Sequence, residues 1–171
     1  MNRNTQIRLA QEDFIATISS EPQRPLSTSV TRGHIEDGLV CQVAQGRHRA
    51  VMDLGTRMGG DNAGPTPSFY ARAGIVGCVA IGIKMTAARS GLDFRRVDVE
   101  VETDFDDGAL VGIGSSGAAP VETRVSVTID ADADQDTVQA LVQKAMAMDP
   151  WYLALRDAQQ VRIQAHILAT A

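Results

Sequence analysis

The spacing of apolar and polar positions divides the chain into segments with different periods. Residues 5–19 (TQIRLAQEDFIATIS) place Ile7, Leu9, Phe14, Ile15 and Ile18 at loosely helical spacing, and Pro22 and Pro25 end that segment. Three strand-like runs follow. Residues 27–32 are short, residues 38–45 put Leu39, Cys41 and Val43 on one face, and residues 48–54 alternate more loosely. The linkers IEDG and QGR carry turn chemistry, so these runs predict a small antiparallel meander.

Residues 55–66 (GTRMGGDNAGPT) hold four glycines and a proline and predict a loop. A helix then opens on strong signals, with Thr66 as N-cap and Pro67 at the first helical position. It runs to Arg89, and Gly91 is the expected left-handed stop. From Ala73 to Ile83 nearly every residue is apolar or small. A helix apolar all round has to be covered on all sides. Gly74, Gly77 and Gly82 each cost about 1 kcal/mol against alanine, which predicts that other backbone packs close to this helix.

Two strands follow. In residues 94–103, Val97, Val99 and Val101 alternate with acids; in residues 120–130, Val121, Val125, Val127 and Ile129 alternate with polar residues. Residues 104–119 predict a long glycine-rich hairpin loop. Asp134 reads as the N-cap of a helix through Met148, Pro150 interrupts it, and residues 151–158 add a short helical piece. Residues 159–167 (QQVRIQAHI) predict a closing strand with Val161, Ile163, Ala165 and Ile167 inward. The order is that of an α+β fold with antiparallel pairing.

The 171 residues (18.3 kDa) suit one domain, 26–171, preceded by a helical extension, 1–25. With 44% apolar and 22% charged residues the chain is globular in composition. The N-terminus carries no apolar signal core, and every stretch of about 18 residues contains charge or polarity, so a cytoplasmic protein without membrane contact is expected. A formal charge of −5 and the lack of a basic patch argue against a nucleic-acid partner.

Candidate chemistry is sparse. Cys41 and Cys78 form no CxxC or Cys/His cluster, and His34, His48 and His166 are scattered, so neither a disulfide scaffold nor a metal or other cofactor is expected. The run Asp130, Asp132, Asp134, Asp136 imitates a calcium loop, but the sixth and twelfth positions are Gln135 and Leu141 rather than Gly and Glu. Capping explains these acids better. The glycine loop lacks both phosphate-loop orders, and no GxSxG occurs. Cys41 and Cys78 both read first as small core residues.

One block changes these odds. Asp53 ends a strand, Gly59-Gly60 and Gly64-Pro65-Thr66-Pro67 follow, Cys78 comes eleven positions after Pro67, and Gly91-Leu92 leads into the valine-alternating strand. Together with the helix reaching Asp149-Pro150, this resembles the OsmC/Ohr family over roughly residues 27–168. The resemblance implies an intertwined homodimer, antiparallel sheets wrapped around central buried helices, and reduction of organic hydroperoxides by a reactive cysteine at the dimer interface. Cys78 matches the attacking cysteine. Phe69 stands where the family has an acid, and Asp149 where it has the resolving cysteine. Arg32 is the nearest match for the activating arginine, with Arg47 and Arg49 as rivals, and Cys41 is the remaining thiol that could resolve. Phe69, Tyr70 and Trp151 would line an apolar pocket for a small hydrophobic hydroperoxide, with an external thiol as reductant. The alternative is a non-enzymatic dimer of the same fold that binds an apolar small molecule. A carboxylate at Asp149 close to Cys78 would raise the thiol pKa.

Overall fold

In a computed structural model of the chain, the described residues are 1–21 and 27–167, so Pro22 and Pro25 lie outside them. The first helix, α1 (Arg3–Ser20), is capped by Asn2, whose side chain accepts from the Thr5 N–H. Two polar contacts tie it to the long central helix and to the turn just beyond that helix. Asn4 Nδ2 donates to the Leu92 carbonyl at 2.8 Å, and Gln11 Nε2 donates to the Met85 carbonyl at 3.4 Å. No residue of α1 is buried.

The meander consists of β1 (Arg32–His34), β2 (Cys41–Gln45) and β3 (His48–Met52), all antiparallel. The first strand forms at its C-terminal edge, not over 27–32 as the pattern suggested. Its only ladder partners are Gln42 to Ala44, and Gly33 opposite Val43 lets Cys41 Sγ approach to 3.3 Å of the point a Cβ would occupy. The glycine loop contains one 3₁₀ turn, Thr56–Met58. Asp53, at 2% exposure, ties it together: Oδ1 accepts from the Leu54 N–H, and Oδ2 accepts from the N–H groups of Asp61 (2.9 Å) and Ala63 (3.0 Å). Those bonds, that from Ala63 foremost, hold its carboxyl below the ordinary carboxylate range.

Helix α2 (Pro67–Arg89) starts and stops where its caps predict. Thr66 Oγ1 accepts from the Phe69 N–H, and Gly91 has φ +72°. Ile75, Val79, Ile83 and Ala87, at four-residue spacing, form its buried stripe. They pack with Phe94, Leu141 and Ala145 as the core, and each large member contributes roughly 1.5–3 kcal/mol. The helix is not covered on all sides as its composition predicted. Ile81 is 61% exposed, and a Cβ on Gly74 or Gly77 would meet nothing within 4 Å. Among the described residues, the elements packed on this helix leave its Ile81 side open. By length and composition α2 could cross a membrane, but it is the helix on which α1, the strand that follows α2 and two of the later helices pack.

β4 (Phe94–Asp104) and β5 (Glu122–Ala131) pair antiparallel, with Val97 opposite Ile129, Val99 opposite Val127 and Val101 opposite Val125 against the core. Their connection carries a short helix, α3 (Asp107–Leu110), where only loop was expected, because Asp106 caps it by accepting from the Gly108 and Ala109 N–H groups. The acid run serves structure. Asp130 and Asp132 pair with Arg95, and Asp134 caps α4 (Gln135–Met146).

α5 (Pro150–Arg156) is the last regular element among the described residues. The predicted closing strand is absent. Residues 159–167 pair with nothing among the described residues, and Val161, Ile163 and Ile167 are 83%, 95% and 94% exposed. Alternation prepares one face of a strand, but a strand also needs a partner's row of N–H and C=O groups, and none of the described residues lies alongside to supply it.

Candidate functional site: a thiol and a carboxylate in one cleft

Cys78 sits in the middle of α2, one residue before fully buried Val79 and on the flank that faces the α4–α5 junction. The junction exists because Pro150 cannot continue α4 and instead opens α5. Between the two elements lies a cleft of about 310 Å³. Ile81, Gly82 and Met85 line it from α2, Met148 and Asp149 from the junction.

Asp149 is 3% exposed. Its Oδ1 caps α5, accepting from the N–H groups of Trp151 (3.0 Å) and Tyr152 (2.8 Å). Its Oδ2 has no hydrogen-bond donor among the described residues and is not sealed from the cleft. That oxygen lies 3.5 Å from the point a Cβ on Gly82 would occupy. Gly82 is one helical turn beyond Cys78, where side chains of successive turns stand about 5–6 Å apart. A glycine there puts no side chain between the thiol and the carboxylate.

The cleft therefore opposes thiolate formation. Burial pushes the Cys78 thiol pKa up, and the Asp149 charge pushes it further the same way. The one cation in the lining, Arg89, stands at the far end, where its Nη2 donates to Thr86 Oγ1 at 3.2 Å. Thr86 itself donates to the Gly82 carbonyl.

A second cleft, of about 340 Å³ and mainly apolar, opens on the other side of α5 between Tyr70, Gly74 and Ile75 of α2 and Trp151 and Leu155 of α5. Tyr70 and Trp151 thus meet in one pocket. Phe69 does not line it; half exposed, it packs edge-on against Tyr70 with ring centroids 5.4 Å apart. The remaining candidates lie elsewhere. Cys41 sits in the meander against Gly33, both cysteines are free, and Cys41 is absent from the lining of the Cys78 cleft. Arg32 is exposed on β1, and Arg49 donates to the Gly46 and His48 carbonyls of its own turn. Among the described residues no three His, Cys, Asp or Glu side chains gather as metal ligands. Sequence reasoning missed Gly82 as part of the site. Its position four residues after Cys78 was the available signal.

Residues 59–164 match the family described as OsmC-like protein. The fold resembles solved structures of that kind. An OsmC-like protein from Mycoplasma pneumoniae is 9% identical, with 76% of this chain and 88% of that chain aligned at a TM-score of 0.65. An organic hydroperoxide resistance protein OsmC from Legionella pneumophila is 19% identical over 78% and 92% of the two chains, TM-score 0.53. The organic hydroperoxide resistance protein OhrB of Bacillus subtilis is 17% identical over 77% and 93%, TM-score 0.52. No curated protein matches the chain. Residues 59–164 carry the central helix with Cys78, both long strands and the junction with Asp149, and through them the chain belongs to the OsmC-like protein family.

Proposed function

We propose that the protein reduces organic hydroperoxides with Cys78 as its single attacking thiol and an external thiol as reductant. The observation that carries this reading is the open cleft at Cys78, within the matched region, lined by apolar side chains and holding one buried carboxylate. Two solved relatives bear the name organic hydroperoxide resistance protein, which supports the substrate class. The Cys78 sulfur attacks the distal oxygen of the hydroperoxide; the O–O bond breaks, the alcohol leaves and the sulfur becomes a sulfenic acid. A small thiol then condenses with it, releasing water, and a second thiol frees Cys78 as the reductant's disulfide. Cys41 does not line the cleft of its own chain, and this cycle does not require it.

The working unit is a homodimer. The uncovered flank of α2, with Ile81 and the two open glycines, and the unpaired alternating segment 159–167 are the surfaces a second copy would cover. The meander packs mainly on itself, so β1 of the partner copy is the proposed source of an arginine, Arg32, for the thiol. Tyr70 and Trp151 hold the apolar part of the substrate.

A turnover assay with cumene hydroperoxide and a dithiol tests the reading. Wild type consumes peroxide in proportion to enzyme and Cys78→Ser does not. Absence of thiol-dependent turnover in wild type rejects it. That result, with apolar ligands still bound, would favour the second reading, a small-molecule binding protein. The Tyr70–Trp151 cleft and the raised thiol pKa are the observations on its side.

A further inference from the structure

The Cys78 cleft poses a chemical problem that the attack alone does not solve. A thiol with a raised pKa has to lose its proton, and the alkoxide that departs from the hydroperoxide has to gain one. Asp149 is the one carboxylate in the cleft lining, and the other charged group there, Arg89, is held by Thr86 at the far end; Arg32 of the partner copy, proposed above, would ease ionisation of the thiol but, always protonated, would not carry its proton to the alkoxide. Lys144, next to the lining residue Ala145 on α4, does not line the cleft, and α1, β4 and β5 contribute no residue to it. Asp149 is almost fully buried, yet only one of its oxygens is occupied by the α5 N–H groups. The other oxygen faces the bare backbone of Gly82, one turn from Cys78. Capping uses one oxygen only, and the second, neither hydrogen-bonded among the described residues nor sealed from the cleft, is available to a group that enters it.

We propose that Asp149 is a catalytic proton shuttle: through one bridging water, since no direct hydrogen bond joins them, its free oxygen takes the Cys78 thiol proton and delivers it to the departing alkoxide. This rests on the hydroperoxide reading above. The step balances within the cleft. The S–H and O–O bonds break, and the S–O and alcohol O–H bonds form. Sulfur is oxidised to the sulfenic acid, the hydroperoxide is reduced to the alcohol, and Asp149 ends as it began. A carboxylate that merely repels the thiolate would be an obstacle to both ionisation and attack. A shuttle obstructs ionisation but supplies the proton that the leaving group needs.

One variant separates the two roles. Asp149→Asn keeps the cap and removes the charge and the proton carrier. Two rates of Cys78 are measured in wild type and variant: alkylation by iodoacetamide, whose iodide leaves without a proton, and single-turnover oxidation by cumene hydroperoxide, whose alkoxide needs one. Alkylation at neutral pH should become faster in the variant, because the thiolate is no longer opposed. Oxidation should become slower, by about 10²-fold, the lower end for a positioned acid–base group. Its rate should rise about tenfold per pH unit below the thiol's titration, a slope that wild type lacks. Asp149→Ser, also a good cap, should behave alike. If both reactions accelerate in both variants, Asp149 acts only through its charge and the shuttle is wrong. If wild type is not oxidised at all, the hydroperoxide reading falls and the shuttle with it; oxidised wild type with accelerated variants removes the shuttle alone.

Discussion

Two aspartates in this chain are buried almost equally and used differently. Asp53 and Asp149 are 2% and 3% exposed. Asp53 spends both oxygens on backbone N–H groups of Leu54, Asp61 and Ala63, closing the glycine loop that leads into α2. Asp149 spends one oxygen on α5 and keeps the other open to the Cys78 cleft. Burial alone does not separate a structural acid from a chemical one. An oxygen free of hydrogen bonds and open to a cleft does, because it can still exchange a proton with whatever occupies that cleft.

The comparison breaks most visibly through stability. Asp53→Ala strands three backbone N–H groups and should lower the melting temperature more than Gly82→Ala or Asp149→Asn changes it. Acid should act on the same site. The Asp53 carboxyl is held below its ordinary range, so its stabilisation is fully present above the unfolded value of about 3.9 and lost as pH falls through the lower folded value. Scanning calorimetry from neutral pH downward measures both. Gly82→Ala should have a smaller effect of opposite sign. Its methyl group would sit 3.5 Å from Asp149 Oδ2, an ordinary contact, and the helix gains up to about 1 kcal/mol. The methyl also intrudes between thiol and carboxylate, so peroxide oxidation should slow in the direction of Asp149→Asn, and by less. Asp149→Asn itself should melt within about 0.5 kcal/mol of wild type, since asparagine caps as well as aspartate. A melt as damaged as that of Asp53→Ala would make Asp149 structural and erase the contrast.

What could be read in advance follows the range of the interactions. α2 was legible end to end because Thr66, Pro67 and Gly91 act through bonds within a turn of themselves. β4 and β5 were legible because alternate valines need only one face to bury. Segment 159–167 has the same alternation and no strand, because pairing depends on a neighbour that alternation cannot supply. The covered flank of α2 was legible as apolar but not as a stripe, since the surrounding layers decide which apolar positions are buried. At the site, Cys78 and Asp149 could be singled out by the family resemblance. Their common cleft, and the part of Gly82 in it, depend on how α5 turns back onto α2 across some seventy residues of sequence. Gly82 reads as a packing residue until the carboxylate opposite it is known.

The most direct test is to trap the product on the sulfur. Reduced protein is treated with one equivalent of cumene hydroperoxide in the presence of dimedone, and the adducts are located by peptide mass spectrometry. If Cys78 is the attacking thiol, it carries the dimedone adduct in step with release of cumyl alcohol, while Cys41 stays unmodified. Label on Cys41 alone, or alcohol released without label on Cys78, would contradict that assignment.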